Sequence, residues 1–124
     1  RRAPPVARRA GLRGGRMSET ILQEAQRVRT QREAAYGHPF DDYTRTGRMV
    51  GAIIDGWLRQ QPGFAHIPRV PDIPAEIGTL LQAVVKISRQ VNEPARDNMT
   101  DLAGYADCTQ ACVDHAEKIR TGGA

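Results

Sequence analysis

Three short clusters in the 124-residue chain combine charge, aromatic rings and glycine at spacings that suit phosphate chemistry. The first is Arg32-x-x-x-Tyr36-Gly37-His38-Pro39, the second Lys86-x-x-Arg89, and the third Asp97-Asn98-x-x-Asp101-x-x-Gly104-Tyr105. Lys86 and Arg89, three apart, share a helix face, and two cations there can hold a phosphate, with the arginine fork gripping two oxygens. The alternative is a solvated face with a pairing to Glu93. Asp97 and Asp101 lie one turn apart and can hold one magnesium ion through oxygen, with Glu76 as a further ligand. The alternative is capping, in which Asp97 or Asn98 closes a helix start and Asp101 answers its dipole. Arg32 can touch a phosphate, and Tyr36 and Tyr105 can stack on a base; both tyrosines also suit a core. Gly37 supplies a left-handed helix cap. His38 is a loop residue able to bind a ligand or carry a proton. There is no phosphate-cradling glycine loop, and Ser88 has no base beside it in sequence.

Four helices must position these groups. Apolar residues at helical spacing (Ile21, Leu22, Ala25, Val28) predict a first helix over 18–36, capped by Ser18 and stopped by Gly37 and Pro39. A second is expected over 42–60, capped by Asp41 or Asp42 and stapled by Phe40, with Tyr43, Val50, Ile53, Ile54, Trp57 and Leu58 on its core face. Gly47 and Gly51 would admit another helix closely. Four prolines make residues 62–74 an extended loop, and a loop of that length is often functional or mobile. Asp72 should cap a third helix over 74–91 whose core face is Ile77, Leu80, Leu81, Val84, Ile87 and Val91. A fourth helix over 98–120 buries Leu102, Tyr105, Ala106, Cys112, Val113 and Ala116. The fold class is all-α, a compact bundle of about four helices.

Taken in order, R-x-x-x-Y-G-x-P, K-x-x-R and D-N-x-x-D-x-x-G-Y resemble a family of small uncharacterised proteins of bacteriophages and prophages, over residues 18–115. That resemblance implies no activity. A remoter similarity is to the MazG-like all-α nucleotide pyrophosphohydrolases, which use magnesium to split nucleoside triphosphates into monophosphate and pyrophosphate. Their pattern is E-E-x-x-E on one helix and E-x-x-D on the next. Asn98-x-x-Asp101 meets the second motif at its aspartate only, and the third helix offers Glu76, Lys86 and Arg89 in place of the first motif. The resemblance implies Asp97 and Asp101 as catalytic or metal-binding residues, and Arg32, Tyr36, His38, Lys86, Arg89 and Tyr105 around a nucleotide.

Composition narrows the classes. Hydrophobic residues make up 40% and aromatics 5%, the profile of a soluble chain with an aliphatic core. No stretch approaches the roughly 18 apolar residues of a membrane span. The formal charge of +4 is carried by six arginines in residues 1–16, without which the remainder stands at −2. Residues 1–16 therefore read as a disordered basic tail, and also as sequence upstream of a start at Met17. Nucleic acid is a partner through that tail only. Cys108 and Cys112, four apart on a helix, are poorly placed for a disulfide and read as reduced structural residues in a cytoplasmic protein. The expected function is a nucleotide-related one, as a pyrophosphohydrolase or as a binder without turnover. The alternative is a helical interaction or nucleic-acid-binding module. A homo-oligomer is expected, with the second helix and Trp57 at its interface.

Overall fold

The computed structural model describes residues 18–123; the arginine-rich segment and the disorder expected of it lie outside the described residues. Four helices follow in order, α1 (Ile21–Tyr36), α2 (Pro39–Arg59), α3 (Ala75–Asn92) and α4 (Arg96–Thr121), with no strand among the described residues. The all-α, four-helix architecture is as expected, and the helix ends shift for identifiable reasons.

Thr20, not Ser18, caps α1, because Thr20-x-x-Gln23 closes a reciprocal capping box: Gln23 N–H donates to Thr20 Oγ1 at 3.2 Å and Thr20 N–H to Gln23 Oε1 at 2.9 Å. α2 begins three residues early, since Pro39 suits a first helical position and His38 caps it, Nδ1 accepting from Phe40 N–H at 3.0 Å. Asp41 and Asp42 then lie in the first turn, where they answer the dipole instead of capping. Pro74 sits at the start of α3 without a side-chain cap, and Asp72 pairs instead with Arg69 at 3.0 Å and Arg48 at 3.8 Å. α4 starts at Arg96, so neither Asp97 nor Asn98 is its cap. Buried Asn98 donates to Gln90 Oε1 at 3.2 Å and to the Glu93 carbonyl at 3.3 Å, clasping the α3–α4 turn.

α3 and α4 form an antiparallel pair, marked along its length by Gln90–Asn98, Lys86–Asp101 and a 2.7 Å hydroxyl contact between Thr79 and Thr109. α1 runs beside α4 in the same direction: Glu24 meets Arg96 at 2.9 Å near one end and Arg29 meets Asp107 at 2.8 Å further along. α2 enters where His38 and Phe40 each stack on His115, with 4.7 Å between ring centroids, and Tyr43 then meets Tyr105 edge-on at 6.5 Å.

The proline-rich loop is fastened along α2. Asp55 accepts from Val70 N–H at 2.9 Å, Arg59 Nη1 donates to the Ile67 carbonyl at 3.1 Å, and Ile73 N–H donates to the Gly47 carbonyl at 3.1 Å. Gly47 and Gly51, expected to admit a helix, admit this loop: a Cβ at Gly47 would fall 1.8 Å from the Ile73 carbonyl oxygen, and one at Gly51 2.8 Å from that of Pro71. Asp55 is held below the usual carboxylate range by its hydrogen bonds from Arg59 and from the Val70 backbone.

The expected core faces need a larger correction. Among the described residues the buried hydrophobic side chains are Ala25, Ala75 and Cys112. Ala75, Gly78 and Thr79 are buried and Gln82, Ala83, Lys86 and Gln90 partly so, which makes the inward face of α3 small and polar. Its apolar stripe lies open, as do Ile53 and Trp57 of α2, Leu22 of α1 and Val113 of α4. Periodicity locates an apolar stripe but not what covers it.

Candidate functional site

α1 presents Ala25, Arg29, Arg32 and Tyr36 at spacings of four, three and four, which is one helical face. That face, the start of α2 and the middle of α4 enclose a cleft of about 260 Å³. From the first cluster Arg32, Tyr36 and Gly37 line it; from the third, Asp101, Gly104 and Tyr105; Tyr43 and Asp42 come from α2. Gly37 has φ +81° and ψ −169°, a region open essentially to glycine, and its N–H donates to the Glu33 carbonyl at 2.8 Å. The cap therefore has positive φ, as expected, but an extended ψ that turns the chain at once into Pro39. At Gly104 a Cβ would meet nothing within 4 Å, so glycine there leaves that wall of the cleft open.

The second cluster reaches the cleft through an acid. Lys86 Nζ lies 2.8 Å from Asp101 Oδ2, both side chains being about five-sixths buried, and Arg32 Nη2 lies 3.8 Å from Asp101 Oδ1. Asp101 thus sits between two cations drawn from two other helices. Arg29 contributes a further guanidinium to the lining, its Nε 2.8 Å from Asp107 Oδ2 but off the line of a hydrogen bond.

Not every expected residue arrives. Arg89 is exposed and, like Lys86, is not among the lining residues, so the two do not meet in the cleft. His38 is a helix cap stacked on His115, also outside the lining. Asp97 lies in the first turn of α4, and Glu76 in the first turn of α3 near Cys112. Among the described residues no three His, Cys, Asp or Glu side chains are grouped to hold a metal ion, so Glu76, Asp97 and Asp101 do not assemble as a cage. The carboxylate expected to coordinate magnesium is engaged by Lys86 and Arg32 instead.

Domain of unknown function DUF6378 matches residues 20–113, which contain all three clusters. The chain belongs to the DUF6378 family. The DUF6378 chain is also similar to the Gene 55 protein of Mycobacterium phage D29, with 30% identity over 95 residues, 76% of this chain and 54% of that protein. The chain thus spans about half the length of that curated relative. No solved structure matches. The phage-family resemblance read from the ordered motifs is borne out.

Tyr43 and Arg29 are among the lining residues that escaped the sequence reading. Tyr43 had been placed only on a core face, and Arg29 had no motif. The signal for Arg29 was present in its one-turn spacing from Arg32. Burial, then the neighbouring Tyr105, pushes the Tyr43 hydroxyl well above the usual tyrosine range, so it stays protonated as a donor in this DUF6378 cleft.

Cys108, at the cleft, and buried Cys112 are both free thiols, as the reduced reading expected. Burial raises both, countered at Cys108 by Arg29, and Cys112 reaches about 11. The thiolate is the reacting form, so raising its pKa suppresses attack at neutral pH. Iodoacetamide at pH 8 should therefore label the native protein at least tenfold more slowly than the urea-unfolded chain, read by mass spectrometry; equal rates would contradict the burial of Cys112. No helix among the described residues is long and apolar enough to cross a membrane.

Proposed function

We propose that the cleft between α1, α2 and α4 binds a nucleotide or another phosphorylated small molecule, and that it does so without turnover. One observation carries the reading: the first and third clusters, roughly sixty residues apart in sequence, line the cleft together, and Asp101 there is held between Arg32 of the lining and Lys86 behind it. Arg32 and Arg29 supply planar forks for phosphate oxygens, and Tyr36, two-thirds exposed at the rim, offers a ring for a base. A mixed apolar and cationic wall is the usual make-up of a small-molecule site, and 260 Å³ is near its lower size limit. This favours a mononucleotide or sugar phosphate over a long polyphosphate. The pyrophosphohydrolase reading asks for a carboxylate cage, and the carboxylates here do not fit one. No catalytic step is derived for Asp97 or Asp101.

The test is to heat the full chain with a panel of linear and cyclic nucleotides and inorganic phosphate, with and without magnesium, and to analyse products in the same tubes. A ligand at about 100 times its Kd stabilises the native state by about 2.7 kcal/mol. The expected outcome is a raised Tm with at least one nucleotide, no product, and loss of the shift in Arg32→Ala. Product formed only with magnesium would instead establish the hydrolase reading. No shift with any compound would overturn both and leave the interaction-module alternative.

A further inference from the structure

The cleft is not built like a cradle for a highly charged phosphate. Its charged lining sets two arginines, Arg29 and Arg32, against three carboxylates, Glu33, Asp42 and Asp101, a formal balance of −1. Each of these groups is also matched by a neighbour of opposite sign. Glu33 lies 3.7 Å from Arg29, Asp42 lies 3.6 Å from Arg45, and Asp101 sits between Arg32 and Lys86. Arg29 in turn faces Asp107 at 2.8 Å. With Lys86, Arg45 and Asp107 counted in, four cations meet four anions and the surroundings are neutral. The backbone at the α1–α2 corner adds little: the Gly37 N–H is already given to the Glu33 carbonyl, and Pro39 has none to give. Tyr43 and Cys108 add no charge either, because burial raises both above their usual ranges.

Resting on the phosphate-binding reading above, we infer that the cleft takes a nucleotide whose phosphate is a cyclic diester with one negative charge, in preference to a monoester with two. Arg29 and Arg32 can grip one delocalised charge, since a planar guanidinium fork meets two phosphate oxygens. A second charge on the same phosphorus would find no further cation to answer it and would face Glu33 and Asp101. At an effective dielectric near 20, one unmatched like charge about 10 Å away weighs roughly tenfold in affinity. The volume of about 260 Å³ suits an internal diester of one nucleoside better than a diester joining two.

A phosphate monoester loses its second proton near pH ~6, whereas a diester stays singly charged from there to pH ~8. The full chain is therefore titrated calorimetrically with cyclic and linear monophosphates of adenosine, guanosine, cytidine and uridine at both pH values. At the higher pH the cyclic form of the preferred nucleoside should bind about tenfold tighter than the linear one. At the lower pH the linear form should gain about fivefold as half of it becomes singly charged. The cyclic form should stay constant, which separates titration of the ligand from titration of the protein. Glu33→Gln, which removes one carboxylate and keeps Arg29, should shrink the cyclic-to-linear ratio about threefold or more. A linear monophosphate that equals the cyclic one at the higher pH, one that gains nothing at the lower pH, or an unchanged ratio in Glu33→Gln would overturn this inference and leave the phosphate-binding reading in place. Absence of binding by every compound would overturn both.

Discussion

Gly47→Ala is expected to lower Tm by about 10 °C or more. The added methyl would lie 1.8 Å from the Ile73 carbonyl oxygen and 2.9 Å from its carbon, both backbone atoms with no rotamer to change. The loop can retreat only by giving up Ile73 N–H to Gly47 and straining its ties to Asp55 and Arg59 nearby. Overpacking typically costs about 1–3 kcal/mol and each broken hydrogen bond about 1 kcal/mol. Alanine returns at most about 1 kcal/mol in helix propensity. The net loss is about 2–3 kcal/mol, and each kcal/mol moves Tm by roughly 4–8 °C in a domain of this size. Gly56→Ala is the control: on the same helix, with nothing within 4 Å of its Cβ, it should gain stability. A Gly47→Ala protein as stable as the Gly56→Ala one would mean that the loop does not lie along α2.

Asp101→Asn should tighten anion binding about tenfold while weakening the fold. The amide keeps the shape of the carboxylate but removes the negative charge between Lys86 and Arg32. A phosphate bound to those cations then no longer faces a like charge. At about 5 Å and an effective dielectric near 20 that repulsion is about 3 kcal/mol, so the 1.4 kcal/mol of a tenfold change is a cautious expectation. Lys86, mostly buried, loses its ionic partner, and breaking such a pair costs up to about 3 kcal/mol. Calorimetric titration of wild type and variant with the nucleotide found in the thermal panel checks the first effect, and urea melts the second. Tighter binding supports a site where Asp101 screens two cations. Weaker binding would show the carboxylate itself contacting the ligand or a metal, and would overturn the screening role of Asp101.

The four helices were legible because glycine and proline punctuate the chain between apolar stripes. The ends were less so, since several residues competed to cap each start and the outcome rested on a partner: Thr20 prevailed through Gln23, and His38 through Pro39 behind it. In the site, Arg32, Tyr36, Asp101 and Tyr105 were recognisable as clusters before their meeting place was known. That Lys86 would turn to Asp101 and Arg89 to solvent was not readable, because 60° around a helix decides it and only packing sets that angle. The direction of the α3 stripe was hidden for a related reason. A face buried inside a domain and one left open carry the same periodicity.

The small, polar inner face of α3 bears on how long the protein survives. With Ala25, Ala75 and Cys112 as the buried hydrophobic side chains among the described residues, little apolar burial holds the fold shut. Openings of the fold then cost little, and a protease that samples the open form should nick the native chain at temperatures well below its global unfolding.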